Sequence, residues 1–258
     1  MLLAIDVGNT HTVLGGYDGQ NLRFMWRLST DKKCTEDEIR AKLSSMFNAG
    51  NIQISDVCGV ALASVVPSLS AAWQKAVREL FSCEAFVCNA ETTAGLFEAD
   101  YPNTHEIGSD RVADAIAAKA CYGAPVVVVD FGTATNIEVI DKRGKFVGGI
   151  IAPGIESSAQ ALFSQASKIA SIELVAPESA IGKSTEEAVQ SGIVLGEAGR
   201  VDGLVGRVFE QLGYEAPVIA TGGQAYIISK YSKTINETNL HLTLTGLRLA
   251  YEYSKANL

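Results

Sequence analysis

The sequence predicts a layered α/β protein built from two related halves, and three observations point there. Residues 2–28 read as a short strand (LLAID), a small-residue turn (VGNT) and two more strand-like stretches, TVLGGYD and LRFMWRL. The last two are joined through Asp18-Gly19, and Asp-Gly between β-rich runs signals a hairpin. The same pattern returns at 125–152 as PVVVVD, FGTAT, NIEVID and KFVGGII, with Lys142-Arg143-Gly144 at the second hairpin. Asp6 and Asp130, 124 residues apart, bring the two copies into register: Gly8 falls on Gly132 and Asn9 on Thr133. Strand–Asp–Gly turns are common, so a chance match is the competing reading.

The elements follow in order. Thr35-x-x-Glu38 is a capping box that opens a helix to about residue 48. Residues 57–64 (VCGVALAS) form a buried strand, 68–81 a helix, and 85–88 a short apolar stretch. A helix over 109–122 places Val112, Ala113, Ile116, Ala117, Ala120 and Cys121 on one face. In the second half, 154–165 and 185–212 are helical, 216–220 is a strand, and 223–229 and 244–256 are helical. Strands alternating with helices after each three-stranded set give an α/β layered domain. The halves are taken as 1–123, ending near the segment 108–111, and 124–258, holding the second turn, the Gly-Gly pair and the C-terminal helix. The helix 185–212 carries glycines at 192, 196, 199, 203 and 206. A mid-helix glycine costs about 1 kcal/mol against alanine, so a close approach by another element is expected there. That element could lie in the same chain or in a second subunit.

Composition narrows the function. The 258 residues are 47% apolar with 24 Gly and 6 Pro, which excludes a disordered, collagenous or coiled-coil chain. A net charge of −8 offers no footprint for nucleic acid or an anionic membrane. Asp6 ends the first apolar run too early for a signal-peptide core, and no stretch approaches the ~18 apolar residues of a spanning helix. The five cysteines are odd in number and scattered in apolar context, as expected of reduced, buried thiols in a cytoplasmic protein. With no CxxC and three separated histidines, a zinc cluster is not expected.

Two halves, each with an Asp at a strand end before a small-residue turn, point to a ligand held between them. Phosphates need open backbone N–H groups, which Gly supplies, with short hydroxyls and amides. Asn9, Thr10 and Thr12 offer these on the first turn, Thr133 and Thr135 on the second. Asp6 and Asp130 repel phosphate unless a cation intervenes. Each Asp could instead cap its own hairpin. The stretch 172–185 (IELVAPESAIGKST) mimics a P-loop, but Pro177 stands where its first glycine is required and has no N–H to offer. Ser184-x-x-Glu187 reads better as a capping box that leaves the Thr185 hydroxyl to a ligand. No GxGxxG or GxSxG occurs. Ala220-Thr221-Gly222-Gly223 permits close backbone approach to a ligand, and a plain strand–helix turn would use glycine equally. Gly108-Ser109-Asp110-Arg111 opens a helix. Asp is favoured there structurally, and it could also accept a hydroxyl proton beside an anchoring Arg111. The helix terminus is expected to lower the Asp110 pKa.

Asp6-Val7-Gly8-Asn9-Thr10, Gly108-Ser109-Asp110-Arg111, Asp130-Phe131-Gly132-Thr133-Ala134-Thr135, Ala152-Pro153-Gly154-Ile155 and Ala220-Thr221-Gly222-Gly223 occur in this order. Together they resemble the type III pantothenate kinases, in the acetate and sugar kinase/Hsp70/actin superfamily. The resemblance runs from Asp6 to Leu244-Thr245-Gly246-Leu247, nearly the whole chain. It implies a duplicated ribonuclease H-like (actin-like ATPase) fold and ATP-dependent phosphorylation of pantothenate, the first committed step toward coenzyme A. By position it implies an ATP phosphate loop of Asp6, Val7, Gly8, Asn9, Thr10, His11, Thr12 and Val13, with Asp6 near Mg2+ and Thr133 a further ATP contact. Asp110 matches the base, and Gly108, Ser109, Asp110 and Arg111, with Tyr101 and Thr185, match the pantothenate-binding residues. Asp130 resembles the ligand of an activating monovalent cation, K+ or NH4+, and a homodimer is implied. The base segment more often reads Gly-Ala-Asp-Arg, Thr-Phe is common where Asn136-Ile137 stands, and Asn is frequent at Ser184. A sugar kinase of the same superfamily and a non-catalytic nucleotide-binding regulator are the rival readings.

Overall fold

The computed structural model describes residues 1–165, 173 and 175–257. The chain forms two compact units, Met1–Ala117 with Leu242–Leu258, and Ala118–His241.

The first unit holds a five-stranded sheet of β1 (Leu2–Val7), β2 (His11–Asp18), β3 (Asn21–Ser29), β4 (Gly59–Ser64) and β5 (Ala85–Val87), in the order β3-β2-β1-β4-β5. The first three strands run antiparallel through tight turns, and β4 and β5 join parallel to β1. Side chains alternate across a strand. Leu3, Ile5 and Val7 of β1, with Val60 and Leu62 of β4, therefore meet α1 (Glu36–Ala49) and α2 (Pro67–Phe81) through Leu43, Phe47, Trp73 and Val77. The capping box of α1 is complete: Thr35 accepts from Glu38 N, and the Glu38 carboxylate accepts from Thr35 N. The opposite face carries Ala4, Ala61 and Ala63, all fully buried, and Asp6. Small residues there let helix α7 (Leu242–Ala256) lie close to β1 and β4. Gly246 of α7 in turn lies so near the Ala113 carbonyl of α3 (Ser109–Tyr122) that a Cβ would overlap it. The helix 109–122 forms as expected, but its buried run ends at Ala118, and Ala120 and Cys121 are exposed. All five thiols are free, as expected, but their burial differs from expectation: only Cys88 is buried, while Cys58 and Cys121 are exposed.

The second unit repeats the plan with β6 (Val126–Phe131), β7 (Ala134–Ile140), β8 (Phe146–Pro153), β9 (Val218–Thr221) and β10 (Glu237–Thr238). The order β8-β7-β6-β9-β10 mirrors the first sheet strand for strand, with β6–β8 antiparallel and β9 and β10 parallel to β6. Each second strand even carries a bulge near its end, between Gly16 and Tyr17 in one copy and Val139 and Ile140 in the other. The turn is shorter in the second copy, closing from Gly132 N to Ala134 O where the first closes from Gly8 N to His11 O. Such a shared irregularity is not demanded by strand propensity, so the two halves are one plan used twice.

The core packs Val127, Val129, Phe131, Ile137 and Val139 against Val194, Ala198, Val201 and Val205 of α5 (Thr185–Leu212). Helix α4 (Ile155–Gln165) precedes it, and the expected helix at 223–229 is the single turn α6 (Ala225–Ile228). Ser184 caps α5 by accepting from Glu187 N, but the returning carboxylate of Glu187 accepts from Lys183 N, so the box closes one residue early. Gly182 lies against the Ala188 backbone with no room for a Cβ, which accounts for the glycine of the P-loop mimic by packing. The strand read into that mimic includes Ile172 and Leu174, which lie outside the described residues. None of the five α5 glycines meets another element: a Cβ on Gly192, Gly196, Gly199, Gly203 or Gly206 would find nothing within 4 Å in this chain. Gly192, Gly196, Gly199 and Gly203 are exposed and Gly206 is half-buried, so the close approach expected of them is not made inside the chain.

Candidate active site

In the first unit, Asp6 stands one residue before the end of β1, and β4 ends beside it with Ser64 opposite Val7. Val65 N donates to Val7 O at 3.1 Å, carrying the pairing past the strand end. The start of α3 is fastened at the same edge, because Ser64 N donates to Ser109 Oγ at 2.9 Å. Asp6, the turn after it and Gly108–Arg111 are thereby gathered at the carboxyl edge of one sheet. Parallel strands ending together leave that edge open, the usual place for ligands in α/β sheets.

The turn itself sorts its candidate donors. Gly8 N donates to His11 O, and Thr10 O accepts from Thr30 N. Asn9 and Thr10 are exposed, and Gly8, His11 and Val13 are partly so. Val7 and Thr12 are buried, and Thr12 shares a hydrogen bond with the Thr30 hydroxyl at 2.9 Å. Sequence reasoning missed Lys32. Its Nζ donates to Asn9 Oδ1 at 3.0 Å, placing a cation on the turn. A lone lysine 23 residues away carries no local signal that could have found it.

Asp110 is half-buried at the first turn of α3, and its Oδ1 accepts from Arg111 N at 2.7 Å. Burial pushes its carboxyl above the ordinary aspartate range, and the Arg111 amide and guanidinium only partly offset this. The expected lowering by the helix terminus is thus reversed. Desolvation penalises the charged form directly, whereas the helix dipole contributes only tenths to about 1 kcal/mol. Arg111 is buried, and Ser109 spends its hydroxyl on the Ser64 amide. Tyr101 is half-buried on the loop before α3. Behind Asp6 lies Cys88, fully buried, its thiol pushed up to about 12 by burial and by the Asp6 charge.

In the second unit, Asp130 occupies on β6 the place of Asp6 on β1. Its carboxylate lies against Gly222, which has φ +91° and no room for a Cβ between Asp130 Oδ1 and the Phe131 carbonyl. Gly132 flanks the other oxygen. Gly154 backs the turn, since a Cβ there would lie 2.5 Å from Thr133 O. Thr135 is buried and donates its hydroxyl proton to Glu197 Oε1 at 2.6 Å, so it does not serve a phosphate as its position in the sequence suggested. Thr185 is exposed at the first turn of α5.

The donor chemistry bears on cations. Among the described residues no group of three or more His, Cys, Asp or Glu could hold a metal ion. A single carboxylate at Asp6 suits Mg2+, which keeps several waters and binds through one or two carboxylates and the substrate phosphates. The glycine-lined Asp130 carboxylate with the Phe131 carbonyl beside it is a hard-oxygen cradle that a side chain at 222 would fill. Both sets of residues fit.

Comparison with known proteins decides the family. The profile of the family described as type III pantothenate kinase matches residues 2–207. The chain belongs to the type III pantothenate kinase family. A type III pantothenate kinase of Roseiflexus sp. (strain RS-1) is 43% identical over 257 residues, covering 99% of this chain and 100% of that protein. One from Frankia casuarinae is 45% identical over 253 residues, covering 98% and 99%. Among solved structures, component A of (R)-2-hydroxyglutaryl-CoA dehydratase from Acidaminococcus fermentans aligns with a TM-score of 0.57 at 16% identity, covering 100% and 99%. The ROK hexokinase of Thermus thermophilus aligns at 0.51 and 14%, covering 99% of each chain. At such identities these two show the fold alone: the duplicated actin-like α/β architecture. No helix among the described residues is long and apolar enough to cross a membrane.

Proposed function

We propose that the chain, as a pantothenate kinase of this family, moves the γ-phosphoryl group of ATP to the primary hydroxyl of pantothenate. The product is 4′-phosphopantothenate, and the reaction opens coenzyme A biosynthesis. The observation that carries this is Asp110: a half-buried carboxylate of raised pKa on a helix start that Ser109 fastens to the sheet edge where Asp6 stands, in a chain matched over nearly its full length to type III pantothenate kinases.

Asp110 orients the hydroxyl and takes its proton as the new O–P bond forms and the bond from the γ-phosphorus to the ADP oxygen breaks. In a loose phosphoryl-transfer transition state the proton leaves late, so orientation matters most and a raised pKa helps. Arg111, Gly108, Ser109, Tyr101 and Thr185 hold pantothenate, with Ser109 acting through the backbone it fastens. The turn from Asp6 to Val13 and Thr133 hold the phosphates of ATP, and Lys32 adds positive charge at Asn9. Mg2+ would be held near Asp6 and a monovalent cation, K+ or NH4+, at Asp130. Bound there, they offset charge on the transferring group. The protein acts in the cytoplasm as a homodimer, and the glycine face of α5, empty within 4 Å in this chain, is the surface that suits a second copy.

The test is ADP release with pantothenate in potassium and in sodium, for wild type and Asp110→Asn. Turnover that survives Asp110→Asn removes the base assignment. ATP binding without pantothenate turnover supports a regulator instead.

A further inference from the structure

We propose that Glu197 and Arg200 of α5 are positioning residues for the second phosphate turn, one ion pair holding β7, which leaves the turn, and β8, which pairs with β7 beside it. The proposal rests on the reading of 130–135 as a nucleotide-binding turn.

Glu197 is buried, and its Oε1 takes the Thr135 hydroxyl proton at 2.6 Å. Its other oxygen pairs with the Arg200 guanidinium. Arg200 Nη2 then reaches across, donating to Pro153 O at 2.6 Å and approaching Thr135 Oγ1 at 3.4 Å. Thr135 is the second residue of β7, two residues after Thr133, and Pro153 closes β8 opposite Ala134. The next residue, Gly154, donates its N–H to Thr133 O at 3.2 Å, and Ser157 Oγ donates to the same oxygen at 3.0 Å. One pair from a helix distant in sequence thus grips β7 and its neighbour β8 where they meet the turn.

Stability alone does not account for such a pair. Taking the Glu197 carboxylate and part of the Arg200 guanidinium out of water costs about what their attraction returns, and an apolar pair of similar size would serve the core as well. The geometry even forgoes a bond: Arg200 Nε is buried with no hydrogen-bond partner among the described residues. What the pair provides that leucine or methionine would not is direction. It fixes the Thr135 hydroxyl inward, aims Pro153 O toward α5, and so sets the path of the backbone through Thr133.

The test compares KM for ATP, KM for pantothenate, kcat and melting temperature across Thr135→Val, Thr135→Ser, Glu197→Gln and Thr133→Ala. Thr135→Val keeps the shape and removes the hydroxyl, so it is the decisive variant where Glu197→Gln fails to fold. The expected result is a KM for ATP raised roughly tenfold in Thr135→Val and Glu197→Gln, the size of one lost buried hydrogen bond to a charged group. KM for pantothenate stays near wild type, and Thr135→Ser restores most of the loss. A fall in melting temperature with both KM values unchanged assigns the pair to structure only and overturns the proposal. Raised KM for ATP in Thr133→Ala with none in Thr135→Val also overturns it while the turn keeps its nucleotide role. No change in either variant removes both.

Discussion

A Cβ placed on Gly108 would lie 2.5 Å from Oδ1 of Asp110. The clash falls on the end of a side chain rather than on backbone, so Gly108→Ala is accommodated by swinging the carboxylate away. We expect kcat to fall at least about tenfold while the melting temperature stays within about 2 °C, a split that follows from moving the carboxylate proposed as the base without opening the core. Circular dichroism melts beside steady-state kinetics check it.

Asp110→Asn should abolish most turnover and raise stability at neutral pH. The folded-state pKa of Asp110 is raised, so below the unfolded-state pKa both states are protonated and the group costs nothing. As pH rises from the unfolded-state value through the folded-state one, keeping this group in a desolvated site costs stability. Melting curves of both proteins should therefore converge on acidification into the ordinary aspartate range, and the Asn variant should melt higher at pH 7. Equal melting temperatures at pH 7 would contradict the burial of this carboxylate.

Lys32→Met removes the cation that Asn9 Oδ1 holds over the first turn. Its charge is exposed, so the loss should be modest and dependent on salt. KM for ATP is expected to rise roughly threefold to tenfold at low ionic strength and less at high salt, with KM for pantothenate unchanged. A salt-independent effect would point to another cause.

Gly222→Ala asks an alanine to adopt φ +91° and to overlap the Asp130 carboxylate and the Phe131 carbonyl. A destabilisation of about 1–3 kcal/mol is expected from the strain alone. The displaced carboxylate should also raise the potassium concentration needed for half-activation, measured by titrating K+ in a sodium background. Unchanged potassium dependence in a folded variant would remove Asp130 from that role.

A Cβ added at Gly199 or Gly203 meets no other element of this chain within 4 Å, so Gly199→Leu and Gly203→Leu probe what covers that face. If two copies pair through that face, each substitution should convert dimer to monomer in sedimentation velocity. If the face stays in solvent, Gly199→Ala should instead stabilise the chain by up to about 1 kcal/mol, the helix-propensity gain. The two outcomes are opposite in sign and separable.

Much of this was legible in the sequence because it is local. The Thr35–Glu38 box needs only four consecutive residues, and α3 runs from Ser109 to Tyr122 as its spacing predicts. The Asp-Gly hairpin follows from turn chemistry, and the register of Asp6 with Asp130 reappears as two sheets of the same strand order. The α5 glycines are the instructive miss: their cost was legible, but the expected contact inside the chain is not there.

The sequence by itself determined which residue types sit at each strand end and helix start, since period, capping and turn preference act over a few neighbours. Tertiary structure alone decided which of those groups are taken by partners inside the chain. Thr12 and Thr135 turn inward to Thr30 and Glu197, Lys32 comes to Asn9, and Ser64 fastens Ser109. It also decided the sign of the Asp110 shift, because desolvation depends on every atom that packs around a carboxylate and not on the four residues that surround it in the chain.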